Sequence, residues 1–344
     1  MTGRSAAIQG GLAALGLLAA HLTWQREPER APGEVVVIDA AKADVGRVRF
    51  EDENNILAFQ RASTAGGEPT IALHVEAKPK KVMPDKPGDP MPPPTPPETP
   101  PRDVFGNADA LRLADRFAPL VSPRAFGLME PAKLKELGLD EPTRSLEVVV
   151  RGDTRKYDIG IAMNAQNGES FLRDKRDGRV YLMPRGLLSE LQNGKRLVDP
   201  RLHLFDSKEF DRITLSVGDK KKEFLHEGRE NFSTEGYAPA KTPGKRDQTV
   251  KNWHDMLWRT FPMEVLGKDE LPKGGTLKPV FRIEYSERGK AVGWLELARL
   301  EGTSGKAEEI QDNLFARSEH TVGWTRLHVS PDLADDAQKI IAAP

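Results

Sequence analysis

The sequence predicts an α+β chain: two tandem homologous units of mainly antiparallel sheet with amphipathic helices, after an N-terminal transmembrane helix. Three observations predict it. Residues 6–24 form a nearly unbroken apolar run, close to the ~20 helical residues that span a hydrocarbon core. Residues 146–191 read as strand, turn, strand, strand, hairpin, strand, and then a helix opening at Pro184. Strand-like stretches at 280–285, 292–299, 314–317 and 324–329, with a helix after Pro331, then follow in the same order. The predicted layout is an anchor and stalk at 1–33, a first unit at 34–204 with a proline-rich insertion at 78–102, and a second unit at 205–344.

The N-terminal run sets the expected address. Arg4 and the α-amine precede it, and Trp24 stands where an interfacial aromatic belongs. A cleaved signal peptide is the competing reading, but Ala19 and Ala20 are followed by His21, Leu22 and Thr23, which is no small-x-small cleavage site. Arg26 and Arg30 lie beyond the run among Glu27 and Glu29, so the N-in orientation rests mainly on the short tail before it. The expected location is the inner membrane, crossed once, with the remainder in the periplasm.

Taken in order, 35–38, 45–50, 56–60 and 70–75 read as strands of one antiparallel meander. Residues 78–102 break the pattern with Pro92, Pro93, Pro94, Pro96 and Pro97; proline fixes φ and removes a donor, so an extended polyproline segment is expected. It reads as a semi-rigid spacer, or as a ligand for an aromatic-lined groove. Residues 107–121 form an amphipathic helix capped by Asn107, with Leu111, Ala114, Phe117, Ala118 and Val121 on one face. A short helix at 131–137 stops at Gly138. Asp177 and Gly178 supply a tight hairpin turn. In the second half, Asp211 leads a strand at 212–215, and 249–261 repeats the amphipathic helix, its apolar face built from Val250, Trp253, Met256, Leu257 and Phe261.

Composition narrows the chemistry. Hydrophobic residues make up 38% and charged residues 30%, and the net charge of −1 gives no field to recruit nucleic acid. With no cysteine, the chain cannot build disulfides, thiolate zinc sites, iron–sulfur clusters or a thiol nucleophile. None of the seven histidines stands at metal-ligand spacing. Residues 302–306 have a P-loop look, but Leu300 replaces the first glycine and Ala307 the magnesium-binding hydroxyl. No catalytic, cofactor-binding or metal-ligating residue is nominated, and neither a small-molecule substrate nor nucleic acid is expected. Trp258 stands a little off the helical stripe beside Arg259, and tryptophan with arginine is interface-anchor chemistry. These two residues are the candidate partner interface; half-buried packing is the plainer reading of Trp258.

Residues 136–142 (Glu-Leu-Gly-Leu-Asp-Glu-Pro), Tyr157-Asp158-Ile159-Gly160, Val180-Tyr181-Leu182 and the Asp211-led strand resemble a bacterial envelope family known as a domain of unknown function. Members of that family are often encoded beside ABC-2-type transporter and gliding-motility-auxiliary genes. The anchor, the repeated pattern and the lack of any catalytic constellation lead to the expectation of a non-enzymatic, membrane-anchored accessory or scaffold subunit of a membrane complex, for which the resemblance suggests an ABC-type transporter as partner. An envelope glycan binder or hydrolase is one alternative, and a cytosol-facing adaptor working through its proline segment is another.

Overall fold

The computed structural model describes residues 33–64, 67–80, 95–97, 99–162, 169–231, 233–302, 313–330 and 332–343, together with Leu17. Its strands fall into three sheets of two, nine and eight strands, and the strand pairs are antiparallel.

β1 (Val35–Ile38) pairs with β6 (Leu120–Ser122) to make the small sheet. The nine-stranded sheet is built from β2 (Val45–Glu51), β3 (Asn55–Ser63), β4 (Pro69–Ala77), β5 (Arg102–Gly106), β7 (Ala125–Gly127), β8 (Arg144–Val150), β9 (Asp153–Ile161), β10 (Ser170–Asp174) and β11 (Val180–Leu182). Its order is β5-β4-β3-β2-β8-β9-β10-β11-β7. The eight-stranded sheet takes β12 (Arg212–Val217), β13 (Lys220–Glu227), β14 (Gly236–Pro239), β15 (Phe261–Val265), β16 (Gly275–Glu287), β17 (Lys290–Gly302), β18 (Leu314–Ser318) and β19 (Thr325–His328). Its order is β14-β13-β12-β16-β17-β18-β19-β15.

Alternation explains why these segments are strands. In β8, Leu146, Val148 and Val150 are buried while Ser145, Glu147 and Val149 point away; in β12 the buried pair is Ile213 and Leu215. A period of two puts one face inward, the pattern of a sheet covered on one side. The hairpins are tight where the chain supplies positive φ. Arg151 and Gly152 lie at 51° and 83°, and Arg288 and Gly289 at 50° and 79°. Both pairs join strands through two residues, as turns with two left-handed positions do.

Helices cover the inner faces. α1 (Ala108–Asp115) lies on β3, β4 and β5, and Gly106 lets it approach: a Cβ there would come within 2.7 Å of the Ala110 Cβ. The Asn107 side chain accepts from the backbone N–H groups of Asp109 and Ala110, at 2.9 and 3.2 Å. α2 (Pro131–Glu136) ends before Gly138, whose φ is 65°. α3 (Leu187–Gln192) packs on β3. α4 (Gln248–Trp258), capped by Asp247, packs on α5 (Asp332–Ala342), and α5 also lies against β12 and β16.

The two large sheets are joined at the β5 edge. The Arg102 guanidinium donates to Glu270 at 2.7 Å and Glu264 at 2.9 Å, and Val265 packs into the core of the first sheet. Gly106 bridges Val198, the Asp199 N–H donates to the Phe105 carbonyl at 2.8 Å, and the Phe105 ring stacks on His320 at 5.5 Å.

Several expectations are corrected. The described chain is mostly antiparallel sheet in three sheets, rather than two matching tandem α+β units. Period-two alternation with proline and glycine stops is what any half-buried antiparallel strand writes into a sequence, so the echoed phrases carry no equivalence of units. The apolar run at 6–24, except for Leu17, lies outside the described residues, and no helix among the described residues is long and apolar enough to cross a membrane. Most of the proline segment and residues 303–306 also lie outside them. β1 does not join the predicted meander, because the free side of β2 is taken by β8. The helix predicted at 107–121 stops at Asp115; Pro119 lacks the N–H a further turn needs, and 120–122 is spent on β6.

Candidate functional site

The connector that leaves the nine-stranded sheet at Asp199 runs beneath the C-terminal end of α4. Between it and the eight-stranded sheet is a cleft of about 290 Å³. It is lined by Arg201, Leu202, His203 and Phe205 from the connector, by Leu257, Trp258, Thr260 and Pro262 from the end of α4 and the start of β15, and by Tyr285 and Leu295 from the sheet.

α4 places Trp258 because its period of 3.6 residues carries His254 and Trp258 to the same face, one turn apart. His203 arrives from the connector. The indole is stacked near-parallel with two imidazoles, at 5.3 Å and 10° from His203 and at 5.6 Å and 23° from His254. Trp258 is half-buried and Arg259 is exposed; the Arg259 backbone N–H caps α4, and its side chain has no partner among the described residues.

His203 is oriented by a carboxylate. Its Nδ1 lies 2.8 Å from Glu319 Oε1, and the other oxygen of Glu319 accepts from the Trp294 N–H at 2.7 Å. A carboxylate only accepts, so Nδ1 donates this hydrogen bond. Nε2 has no protein partner among the described residues. Arg201, by contrast, is occupied: its Nε and Nη2 donate to Asp199 at 2.7 to 3.1 Å.

Behind the cleft lies a layer of buried polar rings. The Tyr285 side chain, 1% exposed, has a hydroxyl with no hydrogen-bond partner among the described residues, and burial together with Glu319 pushes its phenol well above the ordinary value. The Tyr237 hydroxyl lies 2.8 Å from His254 Nδ1, while His254 Nε2 has no partner. Burial, reinforced by His226, His203 and Lys251, pushes the His254 imidazole well below 6.5. The folded protein therefore holds His254 neutral, and the unfolded chain takes up its proton near 6.5. Stability from this group is complete above about pH 7 and declines as pH falls through about 6.5, by at most about 1.4 kcal/mol per pH unit. Urea midpoints measured from pH 7.5 to 5 are expected to show this fall, and His254→Gln to flatten it. A fall as steep in the variant as in the native chain would assign the effect elsewhere.

Sequence reasoning singled out Trp258 and Arg259, and the fold sets them side by side at the end of α4. It missed His203, Tyr285 and Glu319. They come from the connector, from β16 and from the turn after β18, at separations no local motif spans; the only signal was the concentration of aromatic residues in the second half. Among the described residues no three His, Asp or Glu side chains converge to hold a metal ion. Set against known proteins, the chain has no match among family models, curated proteins or solved structures.

Proposed function

We propose that this protein is a non-enzymatic accessory or scaffold subunit of a membrane complex, retained at the inner membrane through its apolar N-terminal segment, with its body in the periplasm and an ABC-type transporter as partner. The observation that carries the reading is the preformed recess beside Trp258, lined largely by aromatic and aliphatic side chains, with the exposed Arg259 next to Trp258 at the end of α4. Such recesses take the anchor residue of a partner, and arginine at the rim adds steering and specificity. The apolar run at 6–24 supports retention at a bilayer.

A photo-cross-linking amino acid at position 259 of the full-length protein in native membranes tests this. The expected adduct is a transporter permease or its ATPase. Trp258→Ala is expected to lower its recovery by about thirtyfold, the scale of a hot-spot residue. Arg259→Glu changes only an exposed side chain and is expected to lower it by about tenfold. Absence of any protein adduct would overturn the proposal. A second reading, hydrolysis of an envelope glycan, is favoured by one feature: the His203–Glu319 couple resembles a general base held by a carboxylate. Turnover of cell-wall glycan by the purified chain, lost in His203→Ala, would replace the first reading with this one.

A further inference from the structure

We propose that residues 200–209, the connector between the two large sheets, are a strap that acid releases from the eight-stranded sheet, with the buried imidazole of His254 as the trigger. The rings of His226, Tyr237, His254, Trp258 and His203 each contact the next, with centroids 4.6 to 5.6 Å apart, so three imidazoles from β13, α4 and the connector share one cluster. They differ in what a proton would meet. An imidazolium donates from both nitrogens. His226 has two acceptors in place, the Phe210 carbonyl at 3.2 Å and Glu235 at 2.9 Å, and His203 has Glu319 at 2.8 Å. His254, 2% exposed, has the Tyr237 hydroxyl at Nδ1 and no partner at Nε2 among the described residues. A buried, charged N–H without an acceptor is costly. The surroundings give no relief. β13 and the connector face His254 with His226 and His203, β14 and β16 with the phenols of Tyr237 and Tyr285, and its own helix with Lys251, to which Asp255 is already bonded at 2.7 Å. α5, which packs on α4, buries Leu333, Ala334, Ala337 and Ile340 and leaves Asp332 and Asp335 exposed. His254 therefore takes a proton only when something packed on it moves away.

What moves follows from what holds each element. β13, β14 and β16 are hydrogen-bonded in the sheet, and α4 is tied to α5 by the bond from Trp253 Nε1 to the Leu333 carbonyl. The strap joins no ladder. Its one main-chain hydrogen bond among the described residues, from the Glu209 N–H to the Asp206 carbonyl, is internal. Toward the sheet it is held through side chains: the Ser318 hydroxyl donates to the Leu202 carbonyl, His203 pairs with Glu319, and Phe205 packs on Trp258 and Tyr285. The strap ends at Phe210, whose ring is 5.7 Å from that of His254. A segment without ladder bonds opens at a lower free energy than the strands beside it. Release withdraws Arg201, Leu202, His203 and Phe205 from the cleft, so the recess beside Trp258 is present at neutral pH and dismantled in acid, whatever occupies it.

The chain has no cysteine, so one introduced thiol reports on one place. Leu202→Cys sets it in the strap, Ala238→Cys in β14 and Leu215→Cys in β12, all at buried positions. The test is the rate at which methyl methanethiosulfonate labels each purified full-length variant at pH 7.5 and at pH 5.5, divided by the rate for a short cysteine peptide at the same pH. Opening returns His254 to its ordinary value near 6.5, so the opening equilibrium is expected to rise about tenfold between these two pH values. The relative rate at position 202 is expected to rise by that factor, and the rates at 238 and 215 by about twofold or less. His254→Gln, added to Leu202→Cys, is expected to abolish the rise. An equal rise at all three positions would show the whole sheet opening, and a rise at 238 without one at 202 would make β14 the moving part; either overturns the proposal. So does the absence of a rise at 202, or one that survives His254→Gln. If that double variant does not fold, the comparison of the three positions decides alone. None of these rates depends on a membrane partner, so their failure is distinct from failure of the cross-linking experiment.

Discussion

Asp199→Ala is expected to lower the unfolding free energy by about 2–4 kcal/mol, because it removes a buried carboxylate that accepts several hydrogen bonds. The Asp199 carboxylate is 1% exposed. It accepts from His320 Nε2 at 3.0 Å and from the Arg201 guanidinium and backbone N–H. Burial pushes its pKa up, but the hydrogen bonds from His320 and Arg201 outweigh this and hold it well below the usual carboxylate range. The sign follows: this stabilisation is complete above the unfolded value near 3.9, and is lost only as pH falls from there through the depressed folded value. Without the carboxylate, the His320 ring, 3% exposed, keeps its stack on Phe105 but loses its acceptor at the junction of the two large sheets. Guanidinium unfolding at pH 7 measures the loss, and Asp199→Asn, which keeps the volume, is expected to recover part of it. A loss below about 1 kcal/mol would show that the junction relaxes around the change.

Trp253→Ala is expected to cost a similar amount, about 3–5 kcal/mol, for a different reason. The indole is 1% exposed, packs edge-on against Phe281 at 5.3 Å, and donates from Nε1 to the Leu333 carbonyl at 3.0 Å. It therefore joins α4 to α5 and both helices to the eight-stranded sheet. Alanine removes the contacts, leaves a cavity and deletes the bond. Urea unfolding followed by far-ultraviolet circular dichroism reads the change. Trp253→Phe, which refills most of the space, is expected to cost less, and an equal cost in the two variants would mean that the hydrogen bond rather than the volume dominates.

Much of the local structure was legible. Alternation located β2, β8 and β12. Asn107 and Gly138 marked helix ends, and Gly178, with a φ of 74°, turns the hairpin its sequence predicts. These features depend on neighbours a few residues apart. What was not legible depends on distant pairing. Nothing near Val35 says that its partner is Ser122. Nothing near residues 120–122 says that the helical stripe must yield to a strand. The site divides the same way: His254 and Trp258 share a face by helical period, whereas His203, whose ring also stacks with the indole, comes from the connector. Trp258 was visible as an unusual residue. That a distant imidazole stacks with it could not be read.

The pairing of β2 with β8 also bears on how the chain reaches this state. Most ladders join strands close in sequence and form after short loop closures. Val48, however, pairs with Val148, about a hundred residues later, and Ile213 with Tyr285, about seventy later. Within each large sheet that ladder spans the longest stretch of chain and bears the largest entropy of closure, and non-local antiparallel pairings of this kind slow folding. Each large sheet thus has a late seam between local meanders, β2 against β8 in one and β12 against β16 in the other, with β7 and β15 added at one edge by further distant pairings. Until a seam closes, a strand that will be central in the finished sheet is still an edge. During synthesis the first of these edges, β2, waits for the chain to extend to β8, which gives this protein a long interval in which it depends on being shielded from its neighbours.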